Sequence, residues 1–374
     1  MRIGINLLFM LPGVVGGTET YARDLLNHLA VLDQDNTYYI FVNRETAQWP
    51  LPNQPNFKRV ICPIQATRRS VRYAYEQMIL PFQLLALRID LVHSLGYVGP
   101  LFTPCTPIVT LPDLNFMMLG GVVMPAARKR TLAFFATQAA QRARHVITLS
   151  EFSKSEIVSH LGLPPEKITA ILLGTGTSFT DTPNEDWEAI RAQYHLPAHY
   201  VMAFAGGYPH KNIPRLIQAF AKLGGDLSQQ LVLVGRLAPG VDAAALAAEA
   251  GIPGKVLALN HLPSDHVKAI LEHGDLFVLP SLYEGFGLTV LEAQACNVAV
   301  ACSRIASIPE VAGEGAVYFD PESVDDMATV IRACLLDENK RAELRELGRE
   351  NLKRFSWDKT ARETFAIYQR FGNA

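Results

Sequence analysis

The 374-residue sequence predicts an α/β fold built from two doubly wound domains. Three observations carry that prediction. Short apolar runs bounded by Gly or Pro alternate with longer amphipathic stretches, the pattern of strands and helices around a parallel sheet. The alternating series runs once, is interrupted, and starts again. The chain is also too long for one ordinary core and suits two α/β domains of comparable size.

In the first series the strand candidates are Ile3 to Phe9, Tyr38 to Val42, Arg59 to Pro63, Leu91 to Ser94, Ile108 to Leu111 and His145 to Leu149. The second starts at Tyr200 to Ala205 and continues through Leu231 to Val234, Val256 to Leu259, Leu276 to Leu279, Val298 to Ala301 and Val317 to Phe319. Two sheets of roughly six strands are expected. Between the series, Leu173 to Asn184 is rich in Gly, Thr, Ser and Pro without periodicity, which reads as the interdomain connection. The tail Ser356 to Phe371 has Trp357, Ala361, Phe365 and Tyr368 at helical spacing and reads as a packing helix. The expected domains are residues 1–178, residues 179–353, and a final helix over 354–374 that packs back toward the first domain.

Composition narrows the function. Hydrophobic residues make up 49% and charged residues 19%, so a large core is available. A formal net charge of −2 gives no field for wrapping nucleic acid, and no nucleic-acid-binding signature is present. Cys62, Cys105, Cys296, Cys302 and Cys334 are scattered, without a CxxC pair, and read as buried thiols of a cytoplasmic protein. No secretory leader or bilayer-spanning run is read in the chain.

Ligands of open parallel sheets sit at the carboxyl ends of strands, and four such loops carry unusual residues. After the first strand, Gly16 and Gly17 precede a helix expected near Thr20, where backbone N–H groups can approach an anion, or where the glycines simply make a flexible turn. The spacing is not GxGxxG, and no acidic residue ends the second strand, which counts against a dehydrogenase. After the strand ending at Leu111, Asp113 can order a sugar ring or stabilise positive charge at an anomeric carbon, or can form an Asx-turn after Pro112.

The third loop holds Gly206, Gly207, His210 and Lys211, a close backbone approach with a point charge suited to a diphosphate. In the fourth, Gly285, Phe286, Gly287 and Leu288 lead into a helix whose start forms an anion site. Glu292 on that helix can reach ribose hydroxyls and Glu284 the sugar being transferred. A solvated helix face and a helix-entry charge are the alternatives.

The run Pro280 to Ala295, PSLYEGFGLTVLEAQA, resembles the Glu-x7-Glu signature of glycosyltransferase family 4, a family of GT-B fold. The likeness covers nearly the whole chain, with GGTETYARDLL at 16–26, SEFSKSEI at 150–157, PHKN at 209–212 and SRIASIPEVAGEGAVYFDP at 303–321. Many members carry His before the Asp where this chain has Pro112. An Arg common in the third loop is replaced by Gly207 or shifted, with His210 beside Lys211 placed to share the charge.

The resemblance implies two Rossmann-like domains facing across a cleft, and retaining hexosyl transfer from a nucleoside diphosphate sugar, GDP-mannose first, to a glycan or lipid-linked acceptor. Asp113, Lys211 and Glu284 would be the catalytic residues. Gly16, Gly17, Gly207, His210, Lys211, Gly285, Phe286, Gly287, Leu288 and Glu292 would bind the donor. No cofactor or metal is expected; Asp33-Gln34-Asp35 matches a DxD motif only formally, lying in a turn after a helix. A nucleotide-sugar epimerase of the same fold and a catalytically silent sugar-nucleotide binder are the other readings. Arg68, Arg69 and Arg72, and Arg128, Lys129 and Arg130, each precede apolar helical sequence, which fits peripheral contact with the inner membrane face or ordinary helices with solvated arginines.

Overall fold

The computed structural model describes residues 1–119, 125–176, 179, 186–225 and 227–372. They form two compact units, Met1–Gly174 with Ser356–Ala374, and Thr175–Phe355. The connection expected over 173–184 falls partly outside the described residues, at 177–178 and 180–184.

In the first unit, β1 (Arg2–Asn6), β2 (Thr37–Val42), β3 (Phe57–Ile61), β4 (Leu91–Ser94), β5 (Thr106–Thr110), β6 (His145–Thr148) and β7 (Ile168–Ala170) make one sheet. The order is β3-β2-β1-β4-β5-β6-β7, and all pairs are parallel. Ile3 and Ile5 of β1, Leu91 of β4 and Val146 and Ile147 of β6 are fully buried, as a parallel sheet covered on both faces requires.

The second unit repeats the plan with β8 (Tyr200–Phe204), β9 (Gln230–Val234), β10 (Val256–Leu259), β11 (Leu276–Leu279), β12 (Val300–Ser303) and β13 (Val317–Phe319). Their order is β10-β9-β8-β11-β12-β13, again all parallel. Alternate side chains feed two cores. Val201, Ala203, Leu231 and Leu233 pack with Leu216, Ile217 and Phe220 of the helix Ile213–Ala221. Tyr200, Met202, Val232 and Val234 pack with Ile270, Val290 and Ala293 on the other face.

Several boundaries differ from the sequence expectation, each for a local reason. β1 stops at Asn6 rather than Phe9, because the Asn43 side chain donates to the carbonyls of Leu8 and Met10 and holds them in a turn. β12 starts at Val300 rather than Val298, since the Val298 amide still bonds the Ala293 carbonyl of the preceding helix. The three-residue β7, which makes the first sheet seven-stranded, is too short to show periodicity.

The final helix, Trp357–Gly372, belongs to the first unit. Trp357 stacks on Tyr21 at 6.5 Å, Thr360 Oγ1 donates to the Leu172 carbonyl, and the Tyr368 hydroxyl lies 2.6 Å from His93 Nδ1. A Cβ on Gly174 would come within 2.4 Å of the Trp357 backbone nitrogen, so a glycine is required where the chain passes this helix.

Candidate active site

In the second sheet the order reverses between β8 and β11, and the loops after these two strands meet at its carboxyl edge. Hydrogen bonds stitch them together. The Leu282 amide donates to the His210 carbonyl at 2.8 Å, and Asn212 Nδ2 donates to the carbonyls of Pro280 and Pro321 at 3.0 and 2.8 Å. Gly206 and Gly207 both have positive φ, at 63° and 73°. A Cβ on Gly206 would lie 2.8 Å from Lys211 Cε, so this glycine lets the lysine fold back over the loop.

That path brings Lys211 Nζ to 2.7 Å from Glu284 Oε1, and the Ser281 hydroxyl donates to the same oxygen at 2.6 Å. Both charged side chains are 14% exposed. Burial alone pushes the Glu284 carboxyl up, but the Lys211 charge, then the neighbouring His210 imidazole, with hydrogen bonds from Lys211 and Ser281, outweigh it and hold the group below the usual carboxylate range. Glu284 is therefore ionised at neutral pH.

His210 does not share the charge as the sequence suggested. Burial lowers its pKa, Glu284 opposes and Lys211 adds to the lowering, so the imidazole is neutral at pH 7. Its ring stacks on Tyr208 at 5.6 Å, and Nδ1 has no hydrogen-bond partner among the described residues.

The helix Leu288–Ala295 starts at Gly287, which has φ 98° and supplies no side-chain cap. Its first-turn N–H groups keep the partial positive charge of an uncapped helix start. Thr289 Oγ1, in that turn, is buried and also without a partner among the described residues. Ser307 Oγ fixes the preceding turn by donating to the carbonyls of Glu284 and Phe286 at 2.8 and 3.0 Å. The Phe286 ring is buried edge-to-face against Phe355, which leaves only its backbone for a ligand. Leu288 and Glu292 are half-buried and, four residues apart, share a helix face.

In the first unit, Gly16 has φ 57° and ψ −129°, a conformation open to glycine, and the helix it precedes starts at Gly17 rather than Thr20. Glu19 closes this loop by accepting from the Gly13 amide and from Trp49 Nε1. Asp113 Oδ1 accepts from the Asn115 amide at 3.0 Å, an Asx-turn, and also from the Tyr97 hydroxyl at 2.8 Å. The Asx-turn thus leaves the carboxylate a second bond to a residue sixteen positions away.

Residues 188–351 match the family described as Glycosyl transferases group 1, and residues 15–179 match Glycosyltransferase Family 4. MMP alpha-(1->4)-mannosyltransferase of Mycolicibacterium hassiacum is 31% identical over 75% of this chain and 70% of its own length. The chain belongs to glycosyltransferase family 4. O-antigen chain mannosyltransferase B of Escherichia coli is 29% identical over 66% of this chain, which spans 65% of that relative's length. Among solved structures, sucrose-phosphate synthase from Thermosynechococcus elongatus superposes with a TM-score of 0.79 over 99% of this chain and 98% of its own, at 19% identity, a likeness of fold.

In this family 4 chain the second unit gathers Gly207, His210, Lys211, Glu284, Gly285, Phe286, Gly287, Leu288 and Glu292 on two neighbouring loops and one helix, while Gly16, Gly17 and Asp113 lie in the first unit. Sequence reasoning missed Ser281, Thr289 and Ser307, although all three stand in the motif segments, and missed Tyr97, which nothing local marks. Asp33 accepts from the Asn36 side chain and the Tyr38 hydroxyl, so it serves a turn. Among the described residues no group of three or more His, Cys, Asp or Glu could hold a metal ion.

Proposed function

We propose that this chain is a retaining glycosyltransferase that moves a hexose from a nucleoside diphosphate to an acceptor hydroxyl. The observation that supports this reading best is the Lys211–Glu284 pair, held by Ser281 at the sheet's reversal point beside an uncapped helix start. As the bond from the anomeric carbon to the phosphate oxygen breaks, negative charge grows on the diphosphate. Lys211 and the backbone donors at Gly207 and Gly285 to Gly287 meet it, together with the N–H groups of the helix start. Ionised Glu284 accepts hydroxyls of the transferred sugar and offsets positive charge on its ring, while Glu292 accepts the ribose hydroxyls. The acceptor oxygen attacks the same face, and its proton passes to the departing phosphate oxygen. Gly16 and Gly17 add backbone donors, and Asp113 acts on the acceptor side.

GDP-mannose is the first-choice donor, because two relatives are named mannosyltransferases. The acceptor is a glycan or a lipid-linked glycan. Peripheral contact at the cytoplasmic membrane face fits the surface of residues 68–85, where Arg68 and Arg69 precede exposed Val71, Met78, Phe82 and Leu85. Arg72 is excluded from that basic group, being buried 3.8 Å from Glu76. Among the described residues no helix is long and apolar enough to cross a membrane.

Incubation with a panel of sugar nucleotides and candidate acceptors, read by NMR, tests the reading. A product with the donor's anomeric configuration supports it. Epimerised donor without acceptor, or bound but unreacted donor under all conditions, contradicts it.

A further inference from the structure

The amino-end edge of the first sheet carries a second concave surface. A cavity of about 1070 Å³ opens where β4, β5 and β6 begin, at the opposite end of the parallel strands from Asp113 and Gly16. Four cations from three segments line it: Arg142 at a helix end and Arg144 two residues on, before β6, Lys167 before β7 and Arg370 on the final helix. Two carboxylates, Asp90 and Glu166, share the lining, and Asp90 Oδ2 already accepts from the Arg2 amide at 2.7 Å.

Among the described residues none of the four cations forms an ion pair with a carboxylate. Lys167 Nζ donates to the Gln141 carbonyl and Arg142 to the Gln138 side chain, both neutral acceptors. Arg144 and Arg370 both lie over the Phe371 ring, at 5.3 and 4.9 Å, with His145 stacked on the same ring at 5.0 Å. A guanidinium resting on an aromatic face keeps its N–H fork free and oriented for an oxyanion. The unbalanced charge is felt nearby: burial and then Arg144 lower the Lys167 pKa. Burial first, then Arg370, Lys167, Lys154 and Arg144, takes His145 down to about 4.

We infer that this cavity binds a phosphate-bearing anion, with Arg144 and Arg370 as forked donors and Arg142 and Lys167 as flanking charges, apart from the sugar-nucleotide residues of the second unit. The phosphate belongs either to a soluble diphosphate or to a lipid headgroup. Because Arg370 and Phe371 sit on the final helix, occupancy also holds that helix in place.

Calorimetry with inorganic pyrophosphate on the full chain, in wild type and in Lys211→Gln, tests the soluble source. Sedimentation with vesicles containing phosphatidic acid, against phosphatidylcholine alone, tests the lipid source. Binding in at least one arm is expected to persist in Lys211→Gln and to weaken at least about tenfold in Arg144→Gln/Arg370→Gln. Arg142→Gln/Lys167→Gln should weaken it too, and decides the question if the first pair disturbs the final helix. Absence of binding in both arms, or equal binding by wild type and the variants, overturns the inference.

Discussion

Lys211 Nζ and Glu284 Oε1 lie 2.7 Å apart across the two loops that follow β8 and β11. The cation proposed to meet a diphosphate is therefore already balanced by the carboxylate proposed to meet the sugar. Lys211→Gln should weaken nucleoside diphosphate binding about tenfold or more, since one charge-assisted hydrogen bond is worth about 1.5–3 kcal/mol. It should also raise the Glu284 pKa, because burial then acts without its main counterweight. The residual activity should lose its acid limb at higher pH than wild type, which a pH profile of kcat checks.

Gly206→Ala tests whether the lysine's path matters. The new Cβ meets Lys211 Cε at 2.8 Å, and the positive φ adds strain of about 1–2 kcal/mol. The expected result is weaker nucleotide binding with only a modest loss of melting temperature. Unchanged nucleotide affinity would mean that Lys211 is not positioned by this turn.

Two histidines of the first unit should lower stability in acid, while Glu76, taken up to about 7 by burial, offsets part of the fall. Burial takes His93 down to about 3, where it sits between Tyr368 and Thr110, and His145 lies at about 4 among four cations. Both bind protons when unfolded at pH values where the fold keeps them neutral. Stability should therefore fall as pH drops from about 6.5 toward 4, at about 1.4 kcal/mol per pH unit for each group. His93→Gln should flatten that slope in denaturant melts at a series of pH values.

Metal should be dispensable. Asp33 of the formal DxD motif holds Asn36 and Tyr38 in a turn, so Asp33→Ala should lower stability and leave donor affinity intact. Activity abolished by a chelator and restored by manganese would contradict this.

The alternation of apolar runs made both sheets legible, because the central strands β1, β4, β6, β8, β9, β11 and β12 are buried on both faces. What stayed hidden depended on contacts distant in sequence. Nothing around Tyr97 announces its bond to Asp113, and nothing around Asn43 announces that it ends β1. Lys211 and Glu284 were each visible in a motif, yet their pairing required the β8–β11 neighbour relation, which periodicity does not encode. The neutrality of His210 likewise follows from burial, not from its place beside Lys211.

The proposed mechanism turns on the division of labour between the two glutamates, and one pair of variants tests it. Glu292, proposed to hold the ribose, contributes equally in ground and transition states, so Glu292→Gln should raise the donor KM and weaken the bare nucleoside diphosphate about tenfold. Glu284, proposed to act on the transferred sugar, should leave bare nucleotide affinity nearly intact when changed to Gln and lower kcat by roughly ten- to a hundredfold. Calorimetry with the nucleoside diphosphate beside steady-state kinetics on both variants gives the answer. Equal loss of nucleotide affinity in the two, or full turnover by Glu284→Gln, would contradict this division.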